Sequence, residues 1–84
     1  MGYIEVMFGK QLAEYRAADA DLQLFILNTA YEAALTATQK HDFKADDVAA
    51  RRTPVQFAEK FDSIGDPEQR YVYALNTHRT YSKR

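Results

Sequence analysis

The stretch HDFKADD, from His41 to Asp47, places one imidazole and three carboxylates within seven residues. Ring nitrogen and carboxylate oxygen together suit a divalent metal, which makes His41, Asp42, Asp46 and Asp47 candidate ligands. Their spacing argues against the site. No alternating acids lead to a glycine, and no distal glutamate closes a calcium loop. Asp46 and Asp47 read more simply as acids at the N-terminus of a following helix.

Nucleophilic chemistry has few parts to work with. The serines are Ser63 and Ser82, the histidines His41 and His78, and there is no cysteine. Neither histidine has a serine in a recognisable nucleophile setting. Gly2, Gly9 and Gly65 are too far apart to form a phosphate-cradling loop. The expectation is a protein that is not an enzyme and carries no metal or cofactor. A noncatalytic or metal-binding enzyme subunit, with its site at residues 41–47, is a third reading.

The C-terminal stretch QRYVYALNTHRTYSKR raises a different chemistry. Arg70, Arg79, Lys83 and Arg84 alternate with Tyr71, Tyr73 and Tyr81, and no acid stands among them. Cations that follow a phosphate backbone and rings that stack on bases would make a nucleic-acid grip. Helical spacing, at about 100° per residue, scatters the four bases around the axis instead of gathering them. Tyr71, Val72 and Leu75 form a coherent apolar patch. Bases near a helix C-terminus complement its dipole. Arg70, Tyr73, Arg79, Tyr81, Lys83 and Arg84 therefore stand as a secondary contact set, for nucleic acid, nucleotide or a protein partner. A helix-turn-helix around Arg51 and Arg52 would present Gln56, Glu59 and Lys60. That is one base balanced by one acid, with no glycine in the turn.

Composition sets the frame for these groups. The chain has 84 residues, 46% hydrophobic and 27% charged, which fits one globular domain over residues 1–84. Without disulfides, an apolar core must supply its stability. The net charge of −1 hides a division: residues 1–69 carry seven bases against twelve acids, and all four remaining bases follow. Such a molecule can pair its basic tail with its acidic body, within one chain or between copies. No apolar run resembles a signal peptide or a membrane span, so a cytoplasmic protein without membrane contact is expected.

The elements that must position these residues read as helices. DLQLFILNTAYEAALTATQKH lacks Gly and Pro, begins beside Asp19 and Asp21 as caps, and forms a long central helix. Leu22, Phe25, Ile26, Ala30 and Ala33 share one face. Leu24, Leu27, Tyr31 and Leu35 share nearly the opposite one, so the helix is expected to be buried on two sides. Upstream, Ile4, Phe8, Leu12 and Tyr15 fit a helical stripe over residues 3–17, although Ile4, Val6 and Phe8 also alternate as a strand would. AEYRAADADL contains no breaker, so this helix can run on into the central one. TPVQ and DPEQ each offer a cap, a proline at the first helical position and a glutamine three residues after the cap. They are expected to start two more helices. The first carries Val55, Phe57, Ala58 and Phe61 inward and ends at Gly65. ADDVAARR adds one or two turns before it.

The expected fold is all-α, a small bundle of four to five helices. The expected function is a protein-interaction module that occupies a partner protein's surface, as an accessory subunit or inhibitor. Its size and lack of catalytic parts are those of small proteins that phages and mobile elements encode. It is expected to form a homodimer or larger oligomer through Leu24, Leu27, Tyr31 and Leu35.

Overall fold

The computed structural model describes residues 3–43 and 52–82, with side chains for residues 7–42 and 52–82. Among them are four helices and no strand: α1 (Tyr3–Ala17), α2 (Ala20–Phe43), α3 (Thr53–Ser63) and α4 (Pro67–Ser82). The helical alternative for residues 3–8 holds. The short helix expected within ADDVAARR lies outside the described residues except for Arg52, which forms a turn before α3.

The connections explain how a chain with few breakers turns back on itself. No Gly or Pro separates α1 from α2, yet the helices are distinct because Asp19 caps the second. Its Oδ1 accepts the Leu22 amide at 2.9 Å, satisfying a donor that the first helical turn leaves without a partner. Gln23 then reaches back, its Nε2 donating to the Tyr15 carbonyl at 2.9 Å and clamping the turn. The backbone of α1 departs from helical geometry at Phe8 (φ −123°, ψ 22°). This kink lies beside Gly9, where helix propensity is weakest.

The two expected capping boxes come out differently. At α4 the amide of Gln69 donates to Asp66 Oδ2 at 3.2 Å, and Pro67 opens the helix. At α3, Thr53 lies within the helix and no side chain of the N-cap residue, Arg52, caps it. The Thr53 amide instead donates to Asp42 Oδ2 at 2.8 Å. A buried carboxylate near the end of α2 thus satisfies the start of α3. Gly65 does not end α3 through a left-handed turn, since no glycine among the described residues has positive φ. The helix stops at Ser63 and Arg70 closes it. The Arg70 guanidinium donates to the carbonyl of Ile64 through Nε and to that of Asp62 at 3.2 Å, and lies 5.5 Å from the Phe61 ring centre.

The helices alternate in direction. Arg16 pairs with Glu68 at 2.7 Å and Met7 lies beside Arg79, so α1 runs antiparallel to α4. Tyr31 meets Phe57 and Phe61 while Asp42 meets Thr53, so α3 runs antiparallel to α2. Phe57 bridges Tyr31 to Tyr73 and His41 meets Tyr81, so α2 and α4 run the same way, and among the described helices they share the most extensive backbone approach. Small residues make that approach feasible: Ala30, Ala34 and Ala37 on α2, and Ala74 and Thr77 on α4, are all buried. Phe8, Leu12 and Tyr15 of α1 and Phe57 and Phe61 of α3 complete the core. The rings interlock, with Tyr15 on Tyr71 at 5.1 Å and Phe57 on Tyr73 at 5.4 Å.

The central helix is therefore not buried on two sides. Its inner face is the alanine line with Thr38, while Leu22, Phe25 and Ala33, expected to face inward, are exposed. Of the α3 residues expected inside, Phe57 and Phe61 are buried, Ala58 is half-buried and Val55 is exposed.

Candidate interaction surfaces

The outward side of α2 is unclaimed by any other described helix along most of its length. Asp21, Leu22, Phe25, Asn28, Thr29, Glu32, Ala33, Thr36, Gln39 and Lys40 are all exposed on it. Its first turns carry the largest apolar groups. Phe25 is 66% exposed, Leu24 59% and Leu22 49%. Leu22 and Phe25 are one turn apart on the same side, and Leu24 lies about 100° further round. Beyond Phe25 the face narrows to small or polar residues, with Glu32 near its middle and Lys40 at its far end.

The stripe expected to mediate oligomerisation divides at this boundary. Leu24 stands free. Leu27, Tyr31 and Leu35 are half-buried against the core, with the Tyr31 ring 5.4 Å from Phe57 and 4.7 Å from Phe61. The core thus already covers part of their surface, and α3 covers that of Tyr31. The exposed Leu22 and Phe25 belong to the other stripe, because period 3.6 identifies faces without saying which one a neighbour covers.

The C-terminal contact set is partly committed to the fold. Arg70 closes α3, and Arg79 Nη1 lies 3.4 Å from the Met7 sulfur. Tyr71 and Val72 are buried and Leu75 is half-buried, as their spacing implied. Lys83 and Arg84 lie outside the described residues. Tyr73 and Tyr81 instead line a cleft of about 260 Å³ between α3 and α4, with Thr53, Gln56, Phe57, Asn76, Thr77 and Thr80. Its lining combines three aromatic rings with neutral amides and hydroxyls. Burial pushes the Tyr73 hydroxyl above its ordinary pKa, a hydrogen bond with Thr77 pulls the other way, and neighbouring Tyr81 raises it further. Sequence spacing missed this cleft because three of its eight lining residues come from α3.

The candidate metal set does not assemble among the described residues, where no three His, Asp or Glu gather. Asp42 is used as the α3 cap, the His41 ring packs on Tyr81 at 4.9 Å, and Asp46 and Asp47 lie outside the described residues. No described helix is long and apolar enough to cross a membrane.

The chain matches no protein-family model, no curated protein and no solved structure. Its surfaces are therefore read on their own chemistry.

Proposed function

We propose that this chain is a cytoplasmic protein-interaction module that acts by occupying a partner protein's surface, as an accessory subunit or inhibitor, and that it self-associates. The observation that supports this reading is the exposure of Leu22, Leu24 and Phe25 within a single turn at the start of α2. Large apolar groups displayed together on a packed element favour association, because covering them removes apolar area from water. A helix presenting anchors at such spacing is a recurrent form of protein recognition. In this reading the aromatic Phe25 is the main anchor, and Leu22 and Leu24 flank it.

The test is affinity capture from the native cell extract with wild type and with Phe25→Glu, followed by reconstitution with the purified partner. The expected result is a partner that binds wild type and is lost by the variant, while both keep the same circular dichroism. Identical capture by the two proteins would contradict the reading.

A second reading, nucleotide or single-stranded nucleic-acid binding, draws on Tyr73 and Tyr81 in the α3–α4 cleft. Bases stack on such rings. Salt-sensitive binding to random DNA or RNA, weakened by Tyr73→Ala, would favour it over the first.

A further inference from the structure

We infer that the cleft between α3 and α4 binds an adenine base, held by stacking and by a carboxamide, with any attached phosphate outside it. This narrows the second reading above and rests on it, independently of the partner-binding one. The argument begins with rings already held in place. Phe57 stacks at 5.4 Å on both Tyr31 and Tyr73, each ring within 24° of the Phe57 plane. Tyr73 thus ends a run of three rings, and it is half-buried where it lines the cleft. Tyr81 lines the cleft too and is braced by His41 at 4.9 Å. Rings fixed by their own neighbours lose little freedom when a flat ligand joins them.

The polar lining selects among flat ligands. Among the described residues, those that line the cleft carry no charge: besides the rings they are Gln56, Asn76 and three threonines. A phosphate finds no counter-charge there. Base edges are read by complementary side chains. Arginine and lysine pair with guanine, acids with cytosine, and a carboxamide with N6 and N7 of adenine. Of these kinds, the lining holds the carboxamide. Gln56 on α3 and Asn76 on α4 are both exposed, so either can turn its amide to a bound edge. The amide oxygen accepts from the N6 amino group, and the amide nitrogen donates to N7. Size sets the limit. The 260 Å³ of the cleft lies just under the roughly 300 Å³ at which pockets for drug-sized ligands begin. That suits a single base better than a whole nucleotide.

Isothermal titration calorimetry of the full chain tests the site, with circular dichroism confirming that each variant is folded. The probes are adenosine, uridine, adenosine monophosphate and a single-stranded adenine oligonucleotide. Adenosine should bind more tightly than uridine, with a Kd unchanged between low and high salt, because no phosphate is gripped. The monophosphate should bind no more tightly than adenosine. Tyr73→Ala should weaken adenosine about fivefold or more, the range for one lost stacking ring. The double variant Gln56→Leu with Asn76→Leu should erase the preference for adenosine over uridine. Both of its positions are exposed, so it decides the matter if Tyr73→Ala does not fold. A strand that binds more tightly than adenosine, base for base, identifies single-stranded nucleic acid as the source; equal affinity identifies the free nucleoside. Adenosine that fails to bind at millimolar concentration, or keeps its preference in the double variant, overturns the adenine site. If a strand still binds in a salt-dependent way without adenosine binding, the nucleic-acid reading survives on another surface. If neither binds, both fall.

Discussion

The two ends of α2 place opposite kinds of residue inside and outside. In its first turns Leu22, Leu24 and Phe25 are exposed, while towards its C-terminus Ala34, Ala37 and Thr38 are buried, Ala34 and Thr38 completely. Hydrophobicity alone predicts the reverse. What decides burial is how closely a neighbouring helix can approach. Methyl-sized side chains let the backbone of α4 come near, and the larger α2 residues Leu27, Tyr31 and Leu35 pack against the core, Tyr31 on the α3 rings. Among the described residues no helix covers the outward side of the early turns, so their large residues remain exposed.

The contrast can be broken most severely on the inner side, by removing what α2 packs on. Phe57 is 2% exposed and stacks against both Tyr31 and Tyr73. Phe57→Ala should cost about 3–5 kcal/mol, read by urea denaturation. A loss below about 1 kcal/mol would show that the aromatic cluster does not hold α2 and α4 to α3.

The C-terminal end of α2 also holds α3 by the Asp42 carboxylate. Asp42→Ala should cost about 1 kcal/mol as a lost helix cap, whereas Thr53→Ala should change stability by only a few tenths. The reverse ranking would restore Thr53 as the cap. This pair shows where the sequence was legible. Asp66 and Gln69 are three residues apart, and their helix start could be read from local chemistry. Asp42 and Thr53 are separated by 11 residues, and only the tertiary fold brings them together.

Helix identity was similarly legible and orientation was not. Unbroken periodicity located α2, and the prolines located α3 and α4 to within a residue or so. Which face of α2 turned inward depended on the closeness of α4, a property of side-chain volume at Ala30, Ala34 and Ala37. The candidate surfaces followed the same rule. Arg70 and Arg79 looked free as members of a basic tail, but their partners lie on α3 and α1. The exposure of Phe25 had no local signal at all.

A smaller effect should appear in alkali. Burial, first among the causes, raises the hydroxyl pKa of Tyr15, Tyr71 and Tyr73 above 10.0. Carboxylates add to it, Glu68 and Asp66 near Tyr15 and Glu14 near Tyr71. The unfolded chain therefore releases these protons at lower pH than the folded one. Their contribution is fully present below about pH 10 and is lost as the pH rises through the folded values. The urea midpoint should fall above about pH 10, and less steeply in Tyr71→Phe than in wild type. An equal slope in the two proteins would contradict the assignment.

The smallest change in stability is expected at the other end of the contrast. Phe25→Ser should alter the stability of the monomer by no more than about 0.5 kcal/mol, because the ring has little protein around it. A loss above about 2 kcal/mol in dilute solution would mean that Phe25 is packed within its own chain.

The central claim is that α2 displays its large early residues and encloses its small later ones. The absence of cysteine permits a direct measurement, the rate of thiol labelling in native dilute solution for Phe25→Cys and Ala34→Cys variants. The account predicts labelling at position 25 close to that of an unhindered thiol, and protection at position 34 until the protein is unfolded by urea. Equal rates at the two positions, or protection at 25 with free access at 34, would contradict it.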